Sequence, residues 1–166
     1  IGQGICRVLH QRGMIVIAAD LDENACMTLI DELGPNDDRL TSIQVDITDR
    51  NSTIKMVESV VKRFGSIDAL VNNAGIIELG SLIDLSEEKW DRVIDVNLKG
   101  TFLCTQAVAP VMIKQNSGSI VNLASVAAKR PAPLQSAYAA TKHGVIGLTQ
   151  VWSQELASHN ITVNSV

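Results

Sequence analysis

Cysteine is scarce in this chain and poorly placed for cross-linking. Three residues, Cys6, Cys26 and Cys104, are odd in number, widely spaced and set in helical patterns, which points to free buried thiols in a reducing compartment. His10, His143 and His159 show no metal-ligand spacing, so no metal site is expected. No apolar run approaches the length of a membrane span, and no membrane association is expected. Lys and Arg form no cluster and the formal net charge is −4, which argues against nucleic acid as a partner. Internal repeats, low-complexity tracts and interdomain linkers are missing too. So is an initial methionine: the chain opens on Ile1, and the lack of a targeting peptide therefore excludes nothing. What is left is one globular α/β domain at most, 46% hydrophobic and 19% charged over 166 residues, enough for a single substantial core.

Helical and strand patterns alternate along it. Ile1, Ile5, Val8 and Leu9 mark one helical face that ends near Gly13, and residues 14–19 form an apolar strand closing on Asp20. A helix at about 22–33 stops at Gly34-Pro35, and a strand at 40–45 precedes Asp46-Ile47-Thr48-Asp49. The next helix, 52–64, carries Ile54, Val57, Val61 and Phe64 on one stripe and ends at Gly65. A strand at 67–71 runs into Asn72-Asn73-Ala74-Gly75. Ser86-Glu87-Glu88 opens a long helical segment to about Lys114, its first-turn acids suiting the helix dipole. Strand 119–124, helix 136–158 and a further strand from Ile161 complete the pattern. Alternation with continuous apolar strands predicts an α/β fold, a doubly wound parallel sheet of the dinucleotide-binding type. Asp20, Asp46, Asn72 and Ser125 all fall at carboxyl ends of strands, where such sheets bind ligands.

Ser125 closes the strand at 119–124, and Tyr138 and Lys142 follow four apart on one face of a helix. A phenol, with an unperturbed pKa near about 10, is a poor proton carrier at neutral pH unless its anion is stabilised. A fixed ammonium one turn away does that, and a serine hydroxyl can hold a substrate oxygen beside the phenol. The set suits proton transfer at a carbinol or carbonyl oxygen. A Tyr and Lys at this spacing are also common on ordinary helices, where the lysine stem lies against the ring. Asp20, 18 residues after Gly2 by subtraction of positions, stands where a dinucleotide fold holds the adenosine ribose; equally, Asp20, Asp22 and Glu23 suit the positive end of the next helix.

The Ser125, Tyr138-x-x-x-Lys142 set, with a serine-to-tyrosine offset of 13 by subtraction of positions, together with Asn72-Asn73-Ala74-Gly75, resembles the short-chain dehydrogenases/reductases. The resemblance covers essentially the whole chain. It implies a Rossmann-like NAD(P)-binding fold in which Ile1-Gly2 close a glycine-rich phosphate loop whose earlier part precedes Ile1. It implies that Asp46 contacts the adenine ring with Ile47 beside it, although Asp46 or Asp49 would also serve as a helix cap. Asn72, Ala74 and Gly75 pass under the nicotinamide ribose, the Asn amides tying strand ends together. Asn97-Leu98-Lys99-Gly100 is similar to the family's N-x-x-G segment, in which the Asn bends the helix and holds a water that relays protons to the active-site lysine. Lys142 lowers the phenol pKa and, with Tyr138, holds the nicotinamide ribose.

The expected function is reversible hydride transfer between a nicotinamide and a secondary alcohol or ketone, with Asn97, Ser125, Tyr138 and Lys142 as the catalytic set. NAD is expected over NADP, since Asp20 would repel a 2′-phosphate. A catalytically silent NAD-binding sensor or scaffold, or a sugar-nucleotide epimerase or dehydratase, are the alternatives. The family also implies a homodimer or homotetramer built on the two long helical segments, with Val108, Val111 and Met112 on one and Val145, Leu148, Thr149 and Trp152 on the other as candidates, though core packing explains any one of them equally well. A cytoplasmic setting is expected, in keeping with free thiols in a reducing compartment. Family strand order places a first strand ahead of Ile1, between the strands ending at Asp20 and Asn72. The chain is therefore expected to be a single domain truncated at both ends, aggregated or molten if made alone.

Overall fold

The computed structural model describes residues 1–34 and 37–166; Pro35 of the expected helix stop lies outside them. Two compact units divide the chain, Ile1–Asp46 and Ile47–Val166.

In the first unit, helix α1 (Gly2–Gln11) leads to strand β1 (Val16–Asp20), helix α2 (Glu23–Leu33) and strand β2 (Leu40–Gln44). The two strands pair in parallel, with Val16 opposite Leu40 and Asp20 opposite Gln44. Val16 and Ala18 point inward while Ala19 and Asp20 are exposed, so the strand ends by delivering its acid to solvent. Ala18, Cys26 and Leu29 form a small core, with Cys6 and Leu33 packed on it. Asp37 ties the end of α1 to the approach of β2: it takes both Arg39 (2.6 Å) and His10 Nε2 (2.9 Å). Hydrogen bonds from Arg39 first, then from His10, hold its carboxyl well below the usual carboxylate range.

The second unit runs through α3 (Arg50–Phe64), β3 (Ala69–Asn72), α4 (Glu87–Ile94), a π-helical turn (Asp95–Gly100), α5 (Thr101–Gln115), β4 (Gly118–Asn122), a 3-10 turn (Val126–Ala128), α6 (Ser136–Leu156) and β5 (Ile161–Ser165). Its strands are parallel in the order β3-β4-β5. Asn72 stands opposite Asn122, and Asn122 opposite Ser165. Val57, Val108, Met112, Ile120, Leu156, Ile161 and Val163 make the core.

Three expectations shift here. The buried stripe of α3 is Thr53, Val57 and Val60, and Ile54 is exposed. Asp49 starts the helix by accepting the Asn51 N–H at 2.9 Å, and Thr53 can be buried because its hydroxyl donates to the Arg50 carbonyl at 2.8 Å. The segment expected as one helix from Ser86 is broken by the π-turn. Asn97 and Gly100 are weak helix formers, and the Thr101 hydroxyl enters the ladder by donating to the Asn97 carbonyl at 2.8 Å. Finally, Val108, Met112, Val145 and Thr149, expected at a subunit interface, are buried in their own chain, and Val111 and Trp152 pack on the same core. Leu148 differs: with Ile94, Leu98 and Phe102 it lines an open apolar groove.

Cys6, Cys26 and Cys104 are free thiols, and burial pushes Cys104 up to about 11. Among the described residues no helix is long and apolar enough to cross a membrane.

Candidate active site

Gly2 is the first residue of α1, whose first turn has neither a side-chain cap nor an acid; its leading N–H groups are thus left to other acceptors. Asp20 is exposed at the end of β1 and accepts the Asp22 N–H at 3.1 Å. Asp22, not Asp20, caps α2, taking the Ala25 N–H at 3.0 Å. Asp46 is exposed just beyond β2. The cap of α3 is Asp49, so of the two acids weighed for that duty Asp49 holds it.

In the second unit, Ile47 lies against the π-turn: a Cβ added to Gly100 would stand 2.6 Å from Ile47 Cδ1. Any larger residue there would require the end of the Ile47 side chain to move. Asn97 is 1% exposed and its side chain is fully committed. Its Oδ1 accepts the Ile76 N–H at 2.8 Å, its Nδ2 donates to the Ile76 carbonyl at 2.9 Å, and Nδ2 also reaches Thr141 Oγ1 at 3.3 Å. The π-turn therefore clamps the chain just after Gly75. Thr141 in turn donates to the Tyr138 carbonyl at 2.7 Å.

Lys142 is 5% exposed, and among the described residues no carboxylate lies within ion-pair distance. Its Nζ donates to the Leu123 carbonyl at 2.7 Å and lies 5.6 Å from the centroid of the Tyr138 ring. Burial pushes the ammonium below its ordinary pKa. Gly75 passes beside it: a Cβ there would meet Asn97 Oδ1 at 3.4 Å and Lys142 Nζ at 3.6 Å. Ala74 and Gly75 are both exposed, leaving backbone that a ligand can approach closely over a buried ammonium. Ser125 is half-buried two residues past the Leu123 carbonyl, and its Oγ accepts the Ala127 N–H at 3.1 Å, which leaves the hydroxyl proton to donate elsewhere. Asn97, Gly75, Lys142 and Tyr138 are thus brought together.

Sequence reasoning missed a polar chain under this site. Asn72 Nδ2 donates to Thr105 Oγ1 (3.0 Å) on α5 and to Asn122 Oδ1 (2.8 Å) on β4; Asn122 Nδ2 donates to Thr149 Oγ1 (3.0 Å) on α6. The amide of Asn72 does tie strand ends together. An Asn inside the apolar run Ile120-Val121-Asn122-Leu123 was the available signal, because a buried amide needs partners. Alternate residues after Gly75 are anchored as well. Ile76 is held by Asn97, Glu78 lies 3.5 Å from Arg92 and 3.9 Å from Lys89, and Gly80 N–H donates to the Leu134 carbonyl at 3.0 Å. Ile77 and Leu79, between them, are exposed, as is Leu134 across the bridge.

Comparison with known proteins places the whole chain among relatives of one family. The family model for short chain dehydrogenase matches residues 1–166. The chain is 45% identical to a 3-oxoacyl-acyl-carrier-protein reductase, FabG, of Thermotoga maritima, over the whole chain and 68% of that protein. It is 40% identical to the FabG reductase of Staphylococcus epidermidis, again over 68% of its length. A solved chain from Burkholderia xenovorans, assigned to the short-chain dehydrogenases/reductases, superposes with a TM-score of 0.94 at 34% identity. The match takes in 99% of this chain and 65% of that one.

Proposed function

Since the chain belongs to the short-chain dehydrogenase family, we propose that it carries the site of a nicotinamide-dependent oxidoreductase acting on a secondary alcohol or a ketone. The observation that supports this best is Lys142: a nearly buried ammonium with no carboxylate partner among the described residues, lying under an exposed glycine and over a tyrosine ring. Burying an unpaired cation is costly for stability, and a buried ionisable group beside accessible backbone is a candidate for function.

The residues fit a dinucleotide. Ala74 and Gly75 offer bare backbone next to Lys142, where a Cβ would fill the cradle; Lys142 and Tyr138 suit ribose hydroxyls there, with Asn72 and Ile47 on the same unit. Asp20, Gly2 and Asp46 are the matching candidates on the other. NAD is favoured over NADP, because the exposed carboxylate of Asp20 is an acceptor for a free 2′-hydroxyl and a like charge to a phosphate. The cofactor, when bound, supplies hydride acceptance or donation at its nicotinamide ring. The protein's own part is the proton. Tyr138 takes it from the alcohol in oxidation or gives it to the carbonyl oxygen in reduction, Lys142 stabilises the phenolate, and Ser125 donates its free hydroxyl proton to the substrate oxygen. Asn97 holds the Gly75–Ile76 backbone in place. Its side chain being committed, a proton-relay water is left to the carbonyls of the π-turn, which changes the regular hydrogen-bond pattern.

The 3-oxoacyl thioesters in the names of the FabG relatives are the first substrates to assay, with simple secondary alcohols beside them. Self-association as a dimer or tetramer would use the apolar groove around Leu148. The test is Tyr138→Phe in the whole protein: turnover falls by at least about a hundredfold, while NADH affinity, read by fluorescence titration, falls by no more than about tenfold, the scale of one ribose hydrogen bond. Retention of most of the activity would overturn the assignment. NADH binding without turnover by the unaltered protein, across both substrate classes, would favour a sensor.

A further inference from the structure

A single hydroxyl on α6 decides which way two amides in this site point. Thr149 is buried, and its Oγ1 donates to the Val145 carbonyl at 2.7 Å, which uses the only proton it has. Toward Asn122 it can only accept. Asn122, with no exposed surface, must then turn its NH2 to Thr149 and its oxygen to Asn72, and the distances of 3.0 and 2.8 Å agree. Asn72 must answer with its NH2, whose second N–H goes to Thr105. Its own amide oxygen is thereby turned away from the chain. The order follows from counting protons along Val145, Thr149, Asn122 and Asn72.

We infer that Thr149 and Asn122 are positioning residues for the active site. They present the oxygen of Asn72 outward as an acceptor for a hydroxyl or amide of a bound ligand. They also lock the ends of β3 and β4 in register. There the Leu123 N–H donates to the Asn72 carbonyl at 3.0 Å, and the Leu123 carbonyl receives Lys142 Nζ. Thr149 lies seven residues beyond Lys142, on the same face of α6, so α6 grips β4 at two points, one of them the ammonium. This inference rests on the reading above, in which Lys142 and Tyr138 handle the proton.

The test is Thr149→Val in the whole protein, which keeps the shape and removes the acceptor. The side-chain NH2 signals of both Asn122 and Asn72 should shift in the NMR spectrum, although Thr149 touches only the first. The kcat should fall about tenfold, the effect of roughly one lost hydrogen bond to a reacting array, and the pH at half-maximal kcat should move. Thr149→Ser, which keeps the hydroxyl, restores both. Should Thr149→Val not fold, Thr149→Cys, whose thiol is a weak acceptor, takes its place with the same expectations. Asn72 signals that stay in place overturn this inference alone, as does a shifted Asn72 with wild-type kcat and pH profile and only a lower Tm. An active Tyr138→Phe protein overturns the underlying reading instead, and the kinetic half of this one with it.

Discussion

Asp20 and Asp22 are two residues apart, both exposed, and do different work. Asp22 closes the first turn of α2, whereas Asp20 takes the Asp22 N–H with one oxygen and is exposed at the end of a strand. Asp22 is thus the cap of α2, and Asp20 stands beside the positive end of the same helix. Replacing Asp20 by Ala removes both an acceptor and a negative charge, so NAD+ should bind more weakly and NADP+ better. The ratio of kcat/KM for the two should move about tenfold toward NADP+, a change of about 1.4 kcal/mol. Asp22→Ser is the control, with the ratio unchanged, since serine is itself a good cap. Steady-state kinetics with both cofactors decide it: an unchanged ratio in the Asp20 variant would leave that carboxylate without a part in cofactor choice. Acids at strand ends were legible in the sequence because the apolar run stops on them. Which acid caps and which is left over was not, because it depends on the backbone angles of one turn.

Elements were legible where periodicity carries them and lost where a hydrogen-bond pattern changes without changing it. The expected strands, and the expected helices other than the long segment from Ser86, are present within a few residues, and Asn72 ties the strand ends as its amide suggested. The π-turn was not foreseen as such, although Asn97 and Gly100 signalled a bend. A π-turn adds a residue within an otherwise continuous helix and leaves its polarity pattern intact. Ile47 explains why the turn ends on glycine. A methyl at Gly100 would sit 2.6 Å from Cδ1 and 2.8 Å from Cγ1 of Ile47, and the position is buried. Overpacking of this kind costs about 1 to 3 kcal/mol, against a gain of up to about 1 kcal/mol for alanine over glycine in a helix. Gly100→Ala should therefore lower stability by about 1 to 2 kcal/mol in urea unfolding. In an Ile47→Ala background the same change should be neutral or stabilising, and the coupling between the two should reach about 1 kcal/mol or more. Additive effects would mean that Ile47 yields freely and that the glycine answers to something else. Since Asn97 sits three residues before Gly100 and clamps Ile76, the single variant should also weaken turnover, and the Ile47 background should recover part of it.

Protection from hydrogen exchange should differ sharply between the two units, because their means of holding themselves together differ. Strand β4 has a ladder on each side and feeds Ile120, with no exposed surface, into a core of seven buried residues. Among the described residues the core of the unit Ile1–Asp46 is smaller, three buried residues, Ala18, Cys26 and Leu29. Local opening follows the local density of buried contacts. Amides of β4 should therefore be the slowest to exchange in this chain, those of β3 and β5 intermediate, and those of β1 and β2 the fastest, by about tenfold or more relative to β4. Equal protection in β1 and β4 would show that the first unit opens only when the second does, and would remove the distinction. The same measurement examines cofactor binding without any catalysis. Gly2 and Asp20 belong to the less protected unit, so a dinucleotide held there must leave before that unit opens. At NAD+ a hundredfold above its Kd the opening becomes harder by about 2.7 kcal/mol, or about a hundredfold in rate. Slowing at Val16–Asp20 and the first turn of α1, larger than at Gly118–Asn122, is the expected pattern. NAD+ that slows β4 alone would place the binding energy in the second unit and remove Asp20 from the site.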